Sequence, residues 1–236
     1  MIPVRFTGSS PLVSYILLGL TIFIFLLQAG TEMIMGVDLP AALGMKINTL
    51  IMQGQLWRLL TPAFLHGSLL HIAFNMYALH AFGPGLEQYY GHMRFLALYL
   101  LAGFTGNVLS FIFSPAASLG SSTSIFGLLG AEGIFLYQNR RLFGNGAQRA
   151  LSNIVIIAVF NLVIGTSPGI DNWGHVGGLI GGTLFAWFGG PVLAPREAMW
   201  EIQLVDRRSA SQVWLTWLAV ALLFGIFAGL SALLRL

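Results

Sequence analysis

The stretch LVSYILLGLTIFIFLLQA, from Leu12 to Ala29, contains no charged side chain. A helix needs about 20 mostly apolar residues to cross the hydrocarbon core of a bilayer. Arg5 precedes the run, as it would in a cleavable export signal. The run is longer than the ~7–15 apolar residues of such a signal, and no small-x-small cleavage site follows it. It is therefore expected to remain as a membrane helix.

Composition extends this reading to the whole chain. Of 236 residues, 56% are hydrophobic and only 8% charged. Soluble domains carry about 25% charged residues. So little charge cannot clothe a solvated surface, and the lipid bilayer is the expected partner. A net charge of +3 with few acids gives no case for nucleic acid. Cysteine is absent, so neither a disulfide framework nor a thiol nucleophile is available.

Six more apolar runs follow, at about 68–88, 93–113, 121–138, 149–166, 172–192 and 212–234. They predict an all-α polytopic membrane protein. Turn residues occupy 114–119 and 165–171, and Asn139, Gly144, Asn145 and Gly146 mark a loop. With the N-terminus cytoplasmic, eight basic residues fall inside: Arg5, Arg94, Arg140, Arg141, Arg149, Arg196, Arg207 and Arg208. Three fall outside: Lys46, Arg58 and Arg235. The excess of positive charge on cytoplasmic loops selects N-inside, C-outside, and the cell membrane is the expected location. The outer connection 30–67 is rich in Leu, Met and Trp and is expected to be partly embedded. Residues 1–193 form the expected core, 194–211 a polar cytoplasmic linker, and 212–236 the last helix.

On this topology the second, fourth and sixth spans all enter from the outer side. His71 and Asn75 lie near the start of the second, Ser122 at the start of the fourth, and His175 near the start of the sixth. All four reach a similar depth just below the outer surface. Polar residues at such depth face a protein interior or a water-filled cavity. A serine needs a neighbouring base to act as a nucleophile, and His175 is that candidate. His71 and Asn75, one helical turn apart, are candidate donors to an oxyanion. Serine alone is common packing material in membrane helices, and a single histidine often only hydrogen-bonds. The joint placement is what points to chemistry. A stripe through Phe126, Gly130 and Gly133 continues from Ser122, and one through Gly178 and Gly182 from His175. Small residues let membrane helices approach closely, so the fourth and sixth spans are expected to touch along these faces.

The stretch Gly120-Ser121-Ser122-Thr123-Ser124-Ile125-Phe126-Gly127-Leu128-Leu129-Gly130 resembles the serine motif of rhomboid intramembrane proteases. His66, His71 and Asn75 resemble that family's HxxxxHxxxN pattern, and Trp57-Arg58 its WR pair. Asn172, His175 and Gly178 resemble its histidine motif; Gly83, Glu87 and Gly91 resemble its GxxxExxxG pattern. The likeness implies a six-helix rhomboid-like bundle with one extra C-terminal helix. It implies Ser122 as nucleophile and His175 as general base. It also implies an oxyanion hole of His71, Asn75 and the Ser122 N–H. Phe126 would pack on His175, and Gly120 would keep the preceding loop compact. The implied substrates are membrane-spanning proteins, with no cofactor or metal, and oligomeric state is left open. Thr123 departs from the glycine usual after the serine.

Among other polar residues, Glu132 lies deep in the fourth span, where a structural hydrogen bond is expected. Asp171 is assigned to the N-cap of the sixth span rather than to a triad. Trp57 and Arg58 are expected to anchor the outer loop at the interface. His80 and His92 have no evident partner. Two rivals stand beside proteolysis. An inactive relative that escorts membrane proteins would be expected to lack the serine or the histidine. A transporter would spread polar residues along a path through the membrane.

Overall fold

The computed structural model describes residues 4–5, 10–198 and 201–235. The side chain of Arg5, used above to orient the chain, and residue 236 lie outside the described residues. Seven long helices match the seven expected spans: α1 (Leu12–Met35), α4 (Leu69–Tyr90), α5 (His92–Phe113), α6 (Ser122–Gln138), α7 (Arg140–Ile164), α8 (Asn172–Gly189) and α9 (Ala210–Leu233). Two short helices, α2 (Leu39–Gly44) and α3 (Asn48–Met52), fold the outer connection together with 3₁₀ turns at Leu56–Leu59 and Thr61–Phe64. The second, fourth and sixth spans of the sequence are thus α4, α6 and α8.

The core is apolar, as in a soluble protein, but the outer surface is apolar too. Large apolar side chains face outward, among them Phe23 on α1, Phe160 on α7 and Leu215 on α9. Ser14, Thr21, Asn107 and Ser124 are buried. This is the pattern of an all-α membrane bundle. By length and composition α1, α5, α7 and α9 are apolar enough to cross a bilayer. The helices α4, α6 and α8 are shorter or richer in polar residues, and these are the helices that carry the candidate site. Along α9, Trp217 donates to Ala97 O and Arg235 to Ile112 O. The last helix therefore runs parallel to α5.

Four expectations change. The loop predicted at 139–146 is mostly helical: α7 starts at Arg140 and kinks at Gly144, whose φ of 55° is open to glycine. The segment 194–211 holds structure. A hairpin of β2 (Leu193–Ala198) and β3 (Glu201–Asp206) pairs in parallel with β1 (Val4–Arg5). Ile202 and Leu204 alternate there with Glu201 and Gln203, a period-2 pattern readable as a strand. Asp206 pairs with Arg94 at 2.8 Å and joins this sheet to the start of α5. Arg58 is not at the interface. It is buried inside the outer connection, donating to Ala42 O, Met45 O and Gln55 Oε1. His92 does have a partner: its Nδ1 lies 2.6 Å from Glu87 Oε1. Glu87 also accepts the backbone N–H groups of Val13 and Ser14 in the first turn of α1.

Candidate active site

Ser122 is the first residue of α6. The loop leading to it is held on several sides. Gly120 donates its N–H to Pro62 O at 2.9 Å and adopts φ 137°, a conformation L side chains rarely take. A Cβ at Gly120 would lie 2.8 Å from His71 Nε2, so no side chain fits. Ser121 is buried, its Oγ 3.2 Å from His66 Nε2. Burial, aided by nearby His71, pushes the His66 pKa down to about 3. His66 is therefore neutral and can offer one donor and one acceptor nitrogen. Its backbone N–H meets Gln28 Oε1, which ties the loop to α1. Lys46 is fully buried and donates to Ser114 O and Ala116 O at 2.9 and 2.7 Å. Its backbone bridges to Ser118. Burial pushes the Lys46 ammonium down to about 8, with the Asp171 charge opposing the shift.

The first turn of a helix has N–H groups with no intrahelical acceptor. Ser121 gives α6 no side-chain cap, so this end is left with donors facing the loop. His175 comes from the start of α8 and is 8% exposed. Its Nε2 lies 2.9 Å from Ser122 Oγ, the distance of a hydrogen bond. The Phe126 ring stacks on the imidazole, with centroids 4.4 Å apart and planes at 13°. His175 Nδ1 has no hydrogen-bond partner among the described residues. Asp171 caps α8 by accepting from Gly174 N at 3.1 Å, and it accepts from Ser110 Oγ. Its carboxylate is thus committed away from the imidazole.

Glycines set the spacing between the two side chains. A Cβ at Gly178 would lie 2.0 Å from Thr123 O, and one at Gly182 would lie 2.3 Å from Gly127 O. Here α6 and α8 meet backbone to backbone. Thr123 fits because its side chain faces glycines: a Cβ at Gly106 would lie 2.7 Å from Thr123 Cβ, and one at Gly174 3.0 Å from Thr123 Cγ2. The extra bulk relative to glycine is absorbed between α5 and α8.

A cavity of about 630 Å³ opens beside the pair, lined among others by His71, Asn107, Ser122, Asp171 and His175. His71 thus reaches the cavity with Ser122 and His175. Asn75 is 7% exposed and does not line the cavity; its Nδ2 donates to His71 O at 2.9 Å. One amide hydrogen of Asn75 is therefore engaged within α4. Among the described residues no group of three or more His, Cys, Asp or Glu side chains forms a metal-holding cluster. Sequence reasoning missed the supporting roles of Gln28, Lys46, His66 and Asn107. Asn107 donates to Leu59 O and fastens the outer connection to α5. Their signal was a polar side chain inside or beside an apolar run, which marks burial without naming the partner.

A helical membrane bundle with a serine and a histidine in hydrogen-bond contact at one end is the class that fold and site define. Residues 53–192 match the family model described as the rhomboid domain. The chain is 43% identical over 178 residues to rhomboid protease GluP of Bacillus subtilis, covering 75% of this chain and 34% of that protein. It is 36% identical over 157 residues to RHOMBOID-like protein 9, chloroplastic, of Arabidopsis thaliana, covering 66% of this chain and 36% of the relative. RHOMBOID-like protein 7 of the same plant is 40% identical over 134 residues, covering 56% and 42% respectively. The chain belongs to the rhomboid family. It spans about a third to two fifths of the length of these three relatives.

Proposed function

We propose that this protein is an intramembrane serine endopeptidase that cuts membrane-spanning proteins near the outer face of the bilayer through a Ser122–His175 dyad. The observation that carries the reading is the 2.9 Å contact between Ser122 Oγ and His175 Nε2. Membership of a family that includes a named protease supports the reaction class.

In this reading Nδ1 of His175 holds the proton and Nε2 is the free base. Ser122 Oγ attacks the scissile carbonyl carbon while His175 Nε2 takes the hydroxyl proton. The developing oxyanion is met by the Ser122 N–H at the uncapped start of α6 and by His71, with Asn75 behind it. Donors fixed before charge develops stabilise the transition state strongly. His175 then protonates the leaving amine, and the peptide C–N bond breaks to give an acyl-serine ester. Water from the 630 Å³ cavity then gives a proton to His175 and bonds through its oxygen to the acyl carbon; the ester bond to Ser122 Oγ breaks, the acid leaves, and His175 returns its proton to Ser122 Oγ. The stacked Phe126 ring holds the imidazole in plane throughout. The N-terminus is cytoplasmic and the C-terminus outside, which places the cavity on the outer side.

Purified Ser122→Ala and His175→Ala variants, compared with wild type on a reconstituted transmembrane substrate, test the reading. Both are expected to lose cleavage while remaining folded. Undiminished proteolysis by either would overturn the dyad.

A further inference from the structure

Glu132 lies on α6, roughly 15 Å beyond Ser122 at ~1.5 Å of rise per residue. The hydrogen bond expected for it is absent: Glu132 Oε2 is buried and has no partner among the described residues. A carboxyl oxygen buried without a donor or a cation is costly. Glu132 lines a cavity of about 320 Å³ where the ends of α4 and α6 meet the start of α7. Three aromatic side chains share that wall. The rings of Tyr89 and Phe135 are 4.5 Å apart, those of Phe135 and Phe143 5.8 Å, and those of Tyr89 and Phe143 6.0 Å. Gly85 and Gly146 are exposed at its edge, and a Cβ at either would meet nothing within 4 Å. That edge is therefore open.

We propose that this cavity binds an organic ammonium group, a primary or quaternary amine with apolar substituents. A cation is attracted to the faces of aromatic rings, which carry negative charge density, and desolvation strengthens that attraction. Glu132 supplies the countercharge that the ring faces lack. The lining disfavours anions, metal ions and wholly apolar guests. It holds no Lys or Arg to receive an anion. It holds a single carboxyl group, too few oxygen ligands for a hard metal ion. A wholly apolar guest would leave Glu132 without a partner. A volume near 320 Å³ sits at the lower end of small-molecule sites, which run to about 1,000 Å³. The ammonium has two possible sources, the amine headgroup of a lipid in the inner leaflet or a free organic cation.

The test uses the full chain in nonionic detergent and reads the thermal unfolding midpoint. Tetrapropylammonium bromide is titrated against sodium bromide of equal ionic strength. Ligand that binds only the folded state raises the midpoint. Wild type is expected to gain stability with the ammonium salt and not with the sodium salt. Glu132→Gln keeps the shape and removes the charge, and it should weaken apparent binding by about tenfold or more. Phe143→Leu should weaken it less. Methyl saturation-transfer NMR of the same cation gives a second readout should a variant be marginally folded. Equal responses to the two salts, or a Glu132→Gln response equal to wild type, would overturn the proposal. Repeating the titration in nanodiscs separates the sources. A response lost in phosphatidylethanolamine but kept in phosphatidylglycerol assigns the site to a lipid headgroup; a response kept in both assigns it to a free cation.

Discussion

The seam between α6 and α8 and the flank formed by α7 are built on opposite principles. Along the seam Gly178 and Gly182 bring backbones into contact, and α8 buries Gly174, His175, Gly177, Gly178, Gly181 and Gly182. On α7 the buried residues are Ala147, Ile154 and Ala158, while Val155, Ile156, Val159, Phe160 and Val163 face outward. In lipid an exposed apolar side chain loses nothing by not being packed, because acyl chains are equally apolar. Close packing is therefore required only where polar groups must be held. The candidate site lies where glycine removes side-chain volume, and the lipid-facing flank tolerates almost any apolar residue.

That contrast can be broken at its strong end. Gly178→Val would drive a side chain into Thr123 O, 2.0 Å from the first added carbon. Backbone on both sides prevents relief, so the loss should exceed the ~1–3 kcal/mol of ordinary overpacking. We expect little or no folded protein by size-exclusion chromatography after detergent extraction. A well-folded Gly178→Val would show that α6 and α8 do not need their glycines.

Next in size is the proposed oxyanion region on α4. His71→Ala should lower kcat by about 10²–10³, the effect of losing one such donor in a well-studied protease. Asn75→Ala should cost less, because Asn75 is bonded to His71 O and stands behind the cavity. Turnover measured side by side decides the ranking, and a larger loss at Asn75 would reverse it.

Asp171→Asn probes the cap of α8 and sharpens the distinction between dyad and triad. Asparagine caps a helix about as well as aspartate. The carboxylate serves Gly174 N and Ser110 Oγ, so most activity should survive. A fall in turnover approaching 10⁴, as when a triad loses its acid, would place Asp171 in the catalytic machinery. The smallest effect is expected on the flank: Ile156→Ala on α7, 64% exposed, should shift stability by no more than about 0.5 kcal/mol in thermal unfolding.

The two regions also differ in how far they could be read from sequence. Helix number, the meeting of His71, Ser122 and His175 at one cavity, and the contact of α6 with α8 follow from hydropathy, basic-residue placement and glycine spacing. These are periodic or cumulative signals. The supports of the Ser122 loop are not periodic. Lys46 meets carbonyls at 114 and 116, and Gln28 meets His66, so each partner is fixed by the fold and invisible along the chain. The Gly144 kink and the strands around Ile202 were obscured for another reason. At 144–146 the turn residues Gly-Asn-Gly hid a helix, and at 201–206 the alternation is too short to stand out from the charged residues around it. Glu132 was readable as an unusual acid in an apolar helix, but only coordinates reveal that its oxygen meets no donor.

The central claim is that Ser122 is a nucleophile activated by His175. Its most direct test is reaction of the purified protein with a serine-directed fluorophosphonate, followed by peptide mass spectrometry. The account predicts a single adduct on Ser122, strongly reduced in folded His175→Ala and absent in Ser122→Ala. An adduct on another serine, or labelling of Ser122 that is indifferent to His175, would contradict it.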